Sequence, residues 1–159
     1  VRDIEHETVA ACLDSGLGML PWSPLAGGWL TGKYQRDAAP TGASRLGEDP
    51  ERGMEAYAAR NAQQRTWDVV DAVREVADAS GSSMAQVALA WVAAQPAVTS
   101  VILGARTVEQ LTDNLGAADL VLPQESLDKL TAVSAPTMDD YPYGPAGIGQ
   151  RRREVPHAG

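Results

Sequence analysis

Residues 102–115 combine a short basic turn with the start of a helix, an arrangement suited to binding phosphate. Thr107 and Gln110 have the spacing of a capping box, in which each side chain satisfies an unpaired backbone N–H at the helix start. The first-turn amides then point towards residues 104–106, where Arg106 adds a guanidinium. Helix N-terminal amides beside one guanidinium form a compact site for a phosphate monoester.

The helix that follows this turn has an apolar face and a polar face. The apolar face consists of Val108, Leu111 and Leu115. The opposite face consists of Gln110, Asp113 and Asn114. Two interpretations remain open at this point: the polar face is simply solvated, or it hydrogen-bonds an adenine and its ribose phosphate. Amide and carboxylate groups match a purine edge, whereas a solvated face more typically carries Lys and Glu.

A second glycine-rich stretch occupies residues 23–34. Gly27 to Lys33 match G-x-x-x-x-G-K, the beginning of an NTP-binding P-loop. A P-loop requires Ser or Thr at the next position, for Mg²⁺, but Tyr34 stands there and helix-breaking residues follow. Ser23 is not part of the G-x-S-x-G turn of a hydrolase. The stretch is therefore neither an NTPase loop nor a nucleophile turn.

Two sets of motifs, in this order, resemble those of one known family. The first is WSPLAGG at residues 22–28 with LTGKY at residues 30–34. The second, about 70 residues later, is GAR at residues 104–106 with EQL at 109–111 and NL at 114–115. With these motifs the chain resembles the C-terminal half of an aldo-keto reductase, of the bacterial and potassium-channel β-subunit-like branch. The resemblance runs from about residue 3 to residue 133.

The resemblance implies an α/β fold, namely the C-terminal portion of a (β/α)₈ TIM barrel with about strands 7 and 8 and their helices, incomplete as given. It also implies NADP(H) bound in an extended pose, with those two strands supplying most of the nucleotide contacts. TIM barrels commonly bind phosphate after strands 7 and 8. We therefore divide the chain into residues 1–133, the part of the barrel with the NADP site, and a Pro/Gly-rich C-terminal tail at residues 134–159.

Carried over residue by residue, the resemblance implies three groups of cofactor-binding residues. The wall under the nicotinamide and pyrophosphate would consist of Trp22, Ser23, Pro24 and Leu25, with Gly27 allowing close backbone approach. The groups that reach the phosphates would be Lys33 and Arg45. The adenosine half would be held by Gly104, Arg106 and Gln110 at the 2′-phosphate, and by Asp113 and Asn114 at the adenine.

This chain departs from the family pattern in the adenosine half. Many members have a Lys-Ser pair where this chain has Gly104 and Ala105, and an Arg where it has Gln110. Arg106 is therefore the one cation that would favour NADP over NAD.

The family's catalytic Asp, Tyr, Lys and His lie in the first half of the barrel, which we expect to be missing from this chain. No substitute is apparent, so we predict no catalytic residue and no metal site. The remaining candidates read as packing or surface residues: Tyr34, Tyr57, Tyr141, Tyr143, His6 and His157. The parent reaction would be reduction of an aldehyde or ketone by NADPH with a Tyr as general acid. Two alternatives are a non-catalytic NADP(H)-sensing or regulatory module and a non-functional gene fragment.

Composition limits the classes of partner and compartment. There are 21 acidic and 13 basic residues, so the net charge of −8 does not favour nucleic acid or an anionic membrane. The short cluster of arginines at residues 151–153 is read as a solvated tail. Cys12 is the single cysteine and suits a reducing compartment, which predicts a cytoplasmic protein. The partner we expect is a small carbonyl substrate in the complete enzyme.

The remaining pattern predicts alternating helices and strands. Helices are predicted at residues 3–15, 62–80 and 84–94, and from residues 107 and 124 onwards. Parallel, buried strands are predicted at residues 17–22 and 98–103. Two strands cannot close a barrel, and their outer edges would be exposed. We therefore expect self-association or pairing with a missing N-terminal half.

Overall fold

The computed structural model of the chain describes residues 2–42, 44–51 and 56–137. Most of the predicted tail at residues 134–159 lies outside these ranges, as do Tyr141, Tyr143, His157 and the arginines at residues 151–153.

Seven α-helices supply most of the regular structure of the described residues. They are α1 (Thr8–Asp14), α2 (Arg45–Glu48), α3 (Tyr57–Asn61), α4 (Gln64–Ser80), α5 (Met84–Ala93), α6 (Val108–Leu115) and α7 (Gln124–Val133). Short 3-10 turns lie at Asp3–Glu5, Ala26–Thr31 and Gly116–Ala118. All five predicted helices are confirmed, although the first is divided into a 3-10 turn and α1. None of the described helices is long and apolar enough to cross a membrane.

Local capping signals set the ends of these helices. Ser83 and Gln86 form a complete capping box at the start of α5, with both hydrogen bonds at 3.1 Å. Helix α4 ends at Gly81, whose φ of +66° is the left-handed conformation that favours glycine. These two ends leave a short connection that turns α5 back against α4.

The main apolar core lies between α4, α5 and α7. Its buried members are Ala72, Val73, Val76, Ala77, Val87, Ala90, Leu122 and Leu130. The apolar face predicted for α4 is confirmed, and its Asp71, Arg74, Glu75 and Asp78 are exposed as predicted. Full burial of a Val or Leu side chain contributes about 1.5–3 kcal/mol. This three-helix core is the base on which the remaining segments rest.

An aromatic cluster attaches the glycine-rich stretch to that base. It consists of Trp29, Tyr34, Leu46, Tyr57, Trp67 and Val70. Trp29 stacks on Tyr57 with ring centroids 5.6 Å apart and meets the edge of Trp67 at 5.7 Å. Leu46 is fully buried among these rings. The cluster thereby connects residues 23–34, α2 and α3 to the long helix α4.

The two predicted strands are wrong as extended strands, since the described residues contain only isolated bridges there. Two of these bridges are parallel, as predicted: Met19 pairs with Val98 and Trp22 with Ile102. Thr99 N–H donates to the Met19 carbonyl at 2.9 Å, and Ile102 N–H donates to the Pro21 carbonyl at 2.9 Å. The segments at residues 17–22 and 98–103 are therefore aligned, but not by a continuous ladder.

The predicted burial of these two segments is also wrong. Trp22 is 78% exposed, and Leu20 and Ile102 are exposed as well. A parallel pair is buried on both faces only when neighbouring strands and covering helices exist, and none of the described residues fills that role. The (β/α)₈ portion expected from the resemblance is accordingly not confirmed by the described fold.

Helix α6 is oriented opposite to an ordinary amphipathic surface helix. Val108 on its apolar face is 74% exposed, and Leu111 and Leu115 are exposed too. Asn114 on its polar face is only 5% exposed. Much of the apolar face is therefore exposed in the part of the chain that the structure describes, whereas Asp113 on the polar face is hydrogen-bonded to the start of α5.

We predict that this apolar face drives self-association of the chain. Removing apolar surface from water contributes about 25 cal/mol per Å² to stability. Two copies that bury these faces against each other would therefore be more stable than two separate chains. The double substitution Val108→Ser with Leu115→Ser should shift the chain towards monomer, because neither side chain supports the described core. Size-exclusion chromatography with light scattering at several concentrations measures the shift.

Val121→Ser is the control for this prediction, because it removes a strongly exposed apolar side chain from the segment between α6 and α7. It should leave the association unchanged. A wild-type chain that stays monomeric at every concentration, with a cooperative near-UV circular dichroism melt, contradicts the prediction.

Candidate functional site

A groove of about 760 Å³ lies between residues 22–33 with α2 on one side and residues 102–106 with α6 on the other. All twelve residues predicted to bind a cofactor line it: Trp22, Ser23, Pro24, Leu25, Gly27, Lys33, Arg45, Gly104, Arg106, Gln110, Asp113 and Asn114. The fold therefore brings together two segments that are about 70 residues apart in sequence. Side chains that were not predicted to bind a cofactor, including Glu48 and Ser83, line the same groove.

The glycine-rich side of the groove is made of strained backbone. Ser23 and Ala26 have positive φ angles of 52° and 49°, and Gly27 and Gly28 have 67° and 99°. Non-glycine residues in this region cost of order 1–3 kcal/mol each and persist only where the surroundings fix them. Here Tyr34 Oη donates to the Gly27 carbonyl at 3.0 Å, and Thr31 Oγ1 donates to the Gly28 carbonyl at 2.8 Å. Buried Trp29 anchors the same turn in the aromatic cluster.

Lys33 folds back across this turn. A Cβ at Gly28 would lie 2.1 Å from Lys33 Cε and 2.3 Å from its Nζ. The ammonium also lies 5.3 Å from the centre of the Tyr34 ring, within cation–π range. The absence of a side chain at Gly28 allows a cation to lie against the backbone of the groove wall.

An ion pair crosses the groove. Arg106 Nη2 donates to Glu48 Oε1 at 2.8 Å, so α2 is linked to the turn before α6. The hydrogen bond and charge of Glu48 raise the pKa of Arg106 further above its ordinary value. Sequence reasoning missed Glu48, because no pattern connects two residues 58 positions apart.

The capping box predicted at the start of α6 is half confirmed. Thr107 Oγ1 accepts from Gln110 N–H at 3.2 Å, as expected. The return bond is different, because Gln110 Oε1 accepts from the N–H of Arg106 at 2.9 Å, one residue before the predicted Thr107. Gln110 therefore fixes the backbone of the residue that carries the guanidinium.

Glu109 places a carboxylate at the same helix start. Its own backbone N–H and the Thr107 hydroxyl hydrogen-bond the carboxylate, and they hold the pKa of Glu109 below its ordinary value. The amides that the sequence assigned to a bound phosphate are thus next to an internal anion. Sequence reasoning read Glu109 only as part of the helix motif.

The other end of α6 is tied to the start of α5. Ser83 Oγ donates to Asp113 Oδ2 at 2.8 Å, and Gln86 Nε2 donates to the Asp113 carbonyl at 2.9 Å. A Cβ at Gly116 would lie 2.5 Å from Gln86 Nε2, so a side chain there would displace the Gln86 amide. Asp113 is therefore oriented by α5, and the interpretation of a wholly solvated polar face does not hold for Asp113 and Asn114.

Asn114 is a nearly buried amide on the groove wall. It is 5% exposed and is the buried polar residue among the described residues. Because it lines the groove, its amide is placed to hydrogen-bond a ligand there.

The charges of the groove differ from those of the whole chain. Its lining includes three cations, Lys33, Arg45 and Arg106, against two carboxylates, Glu48 and Asp113. The chain as a whole has a net charge of −8. Exposed Trp22 and nearly buried Asn114 line the same groove, so the lining suits an anion that also carries planar groups.

No tyrosine of the described residues lines this groove. Tyr34 and Tyr57 are buried in the aromatic cluster, and the Tyr57 hydroxyl donates to the Ala38 carbonyl at 2.8 Å. Burial and, to a smaller extent, the charge of Asp37 raise the pKa of Tyr57. Both tyrosines are packing residues, as predicted, and neither is placed to act as a general acid in the groove.

We predict that Thr107 lowers the pKa of Glu109. Thr107→Val removes one hydrogen bond to the ionised carboxylate, so the pKa of Glu109 should rise towards its ordinary value. Thr107→Ser keeps the hydroxyl and should keep the lowered pKa. Carboxyl ¹³C chemical shifts followed through a pH titration measure both variants, and an unchanged Glu109 pKa in Thr107→Val contradicts the assignment.

Comparison with known proteins identifies the family. The sequence profile described as "Aldo/keto reductase family" matches residues 1–135. A "Probable voltage-gated potassium channel subunit beta" of Oryza sativa subsp. japonica is 37% identical over 82% of this chain and 39% of its own length. The "Uncharacterized oxidoreductase YrpG" of Bacillus subtilis is 37% identical over 83% of this chain and 36% of its own length.

A third relative is the "Versiconal hemiacetal acetate reductase" of Aspergillus parasiticus, which is 30% identical over 92% of this chain and 38% of its own length. The chain thus spans somewhat less than two fifths of the length of these relatives, at 36–39%. A family profile that matches 135 residues of 159 covers most of the sequence. The chain belongs to the aldo/keto reductase family.

Proposed function

We propose that the groove binds NADP(H), and that the chain is the cofactor-binding part of an aldo-keto reductase-like oxidoreductase. The observation that carries the proposal is that one groove brings the nearly buried amide of Asn114 together with three cations from two separate segments of the chain. An Asn amide can hydrogen-bond the edge of an adenine at two atoms. A ligand that combines adenine with phosphates can hydrogen-bond the amide and contact the cations.

The division of groups between the two sides of the groove supports a dinucleotide. Asn114 and Arg106 lie on the α6 side, where an adenosine with a 2′-phosphate would find an amide and a guanidinium. Lys33 and Arg45 lie on the side of the glycine-rich stretch and α2, where they can contact the pyrophosphate. Trp22 presents an exposed ring on which a flat nicotinamide can stack.

The parent reaction is reduction of an aldehyde or ketone. Bound NADPH would supply a hydride to the carbonyl carbon. The residues of this chain would bind and orient the dinucleotide, and the strained turn at Ser23 and Ala26 would hold the wall beneath it. The general acid would come from outside the described residues, since Tyr34 and Tyr57 are occupied in the aromatic cluster. A cytoplasmic location agrees with Cys12 being the single cysteine.

We also propose that the rest of an aldo-keto reductase barrel covers the exposed apolar surface. That surface includes Trp22 and Ile102 on the paired segments and Val108 on α6. The relatives have about three fifths of their length beyond the matched part. A second copy of this chain is the competing occupant, and the association test on Val108 and Leu115 measures how strongly it binds.

A second candidate function is NADP(H) sensing without turnover. It is favoured by the relatives named as probable potassium channel β subunits in rice and Arabidopsis thaliana. It needs the same groove and no general acid. Cofactor binding supports both candidates, so turnover must distinguish them.

Arg106→Ala should weaken NADPH binding by on the order of tenfold and leave NADH nearly unchanged. Charge-assisted hydrogen bonds to phosphate give roughly 10- to 150-fold, and the lower end applies because the guanidinium is about half exposed and must release Glu48. Titration calorimetry of the purified chain with each cofactor measures the difference.

Arg74→Ala is the matched control, since it removes one guanidinium from an ion pair on α4, away from the groove. It should affect neither cofactor. Equal losses for NADPH and NADH in Arg106→Ala would mean that Arg106 orders the turn and does not select the 2′-phosphate.

The purified chain alone should not reduce 4-nitrobenzaldehyde with NADPH, because no described tyrosine reaches the groove. Co-expression with the N-terminal part of the Bacillus subtilis relative should restore turnover if the chain serves an enzyme. A co-purifying complex that binds NADPH but stays inactive favours sensing. Aldehyde reduction that follows the peak of the chain alone through repurification contradicts the proposal.

A further inference from the structure

Glu48 and Arg106 face each other across the groove from two separately anchored elements. Their ion pair is 2.8 Å long, and the two side chains are 53% and 55% exposed. Both residues line the groove. The guanidinium that would select a 2′-phosphate therefore already holds a carboxylate of the same chain.

The position of Glu48 follows from how α2 is fixed. Leu46, two residues earlier, is fully buried in the aromatic cluster. Ser44 Oγ accepts from Gly47 N–H at 3.0 Å and caps the turn. A Cβ at Gly47 would lie 2.6 Å from the Gly42 carbonyl oxygen, so the backbone beside Glu48 is closely packed. Glu48 is thus presented from a turn that the core holds in place.

The position of Arg106 is fixed independently. Gln110 Oε1 accepts from its backbone N–H at 2.9 Å, and Gln110 N–H is bound in turn by Thr107. The two ends of the ion pair are therefore attached to the aromatic cluster and to α6. A phosphate that contacts the guanidinium of Arg106 would therefore lie close to the carboxylate of Glu48.

We propose that Glu48 is a specificity-determining residue that competes with the 2′-phosphate for Arg106. The inference rests on the proposed NADP(H) function and adds to it a negative charge that acts on one cofactor only. NADPH must displace Glu48 or bind beside its charge, whereas NADH has no phosphate at that position. Glu48 thereby reduces the preference for NADPH that Arg106 alone would give.

The size of the effect follows from exposure. An ion pair between half-exposed side chains is weak, because water and salt screen it. A doubly charged phosphate can therefore displace the carboxylate, and Glu48 shifts the cofactor preference without abolishing NADPH binding. The expected change is about two- to fivefold in affinity, the range measured for exposed pairs.

The test is titration of the purified chain with NADPH and with NADH at low ionic strength. Glu48→Gln keeps the size of the side chain and removes its charge, so the Kd for NADPH should fall about two- to fivefold with NADH unchanged. Glu48→Asp keeps the charge and should stay closer to wild type than Glu48→Gln. In the Arg106→Ala background, Glu48→Gln should lose most of its effect, because the shared partner is gone.

Glu75→Gln is the control, since it makes the same change of charge in an ion pair with Lys129, outside this groove. It should alter neither Kd. Weaker binding of NADPH in Glu48→Gln, or an equal change for both cofactors, overturns the inference, because the ion pair would then hold the groove closed around any dinucleotide. Absence of NADPH binding in both wild type and Glu48→Gln overturns the proposed function itself.

Discussion

The parallel contact between residues 19–22 and 97–102 determines where everything else in the site can lie. Its backbone hydrogen bonds join Met19 to Ala97 and Thr99, and Pro21 to Ile102. Parallel segments point their carboxyl ends in one direction, so the chain leaves both at the same edge. The groove forms because residues 22–33 and residues 102–106, which carry its binding groups, begin side by side. Gly18 permits this approach, since a Cβ there would lie 1.9 Å from Thr99 Oγ1.

Each side of the groove is then anchored to the helical core by a different kind of interaction. Aromatic packing of Trp29 against Tyr57 and Trp67 fixes the glycine-rich side. Hydrogen bonds from Ser83 and Gln86 to Asp113 fix the α6 side. Packing tolerates the unusual backbone at Ser23 to Gly28, whereas directional hydrogen bonds orient one helix relative to another. The walls are thereby held before any ligand arrives, which lowers the ordering cost of binding.

The helices were predictable because their signals are local. Ser83 with Gln86, and the apolar stripe of α4, lie within a few residues of the structure that they specify. The strand predictions failed for a different reason. Apolar residues at 17–22 and 98–103 are buried only if further strands and helices cover them, and Trp22 and Ile102, although paired with each other, are exposed. An apolar segment indicates that burial would be favourable, but it does not show which other elements cover it.

For the groove, sequence patterns alone gave only the turn and helix at residues 102–115. The other residues came from the family resemblance, which orders motifs along the chain but does not give contacts between them. The Glu48–Arg106 pair joins positions 58 apart, and the Gln110 bond to Arg106 differs from the expected capping box by one residue. The ion pair arises only after the two loops are placed together, whereas the Gln110 bond depends on which rotamer the side chain adopts at the helix start.

Helix α6 has different surroundings on its two faces. One face leaves Val108 exposed to water, and the other holds the nearly buried Asn114 on the groove wall. Hydrogen bonds from Ser83 and Gln86 hold the helix near Asp113, whereas the turn before Val108 is held by the half-exposed ion pair of Arg106 with Glu48. Burial of the apolar face by another part of a barrel would restrain that end as well. Arg106, Gln110 and Asn114 move with the helix, so a surface that covers Val108 also sets the geometry of the groove wall on the far side.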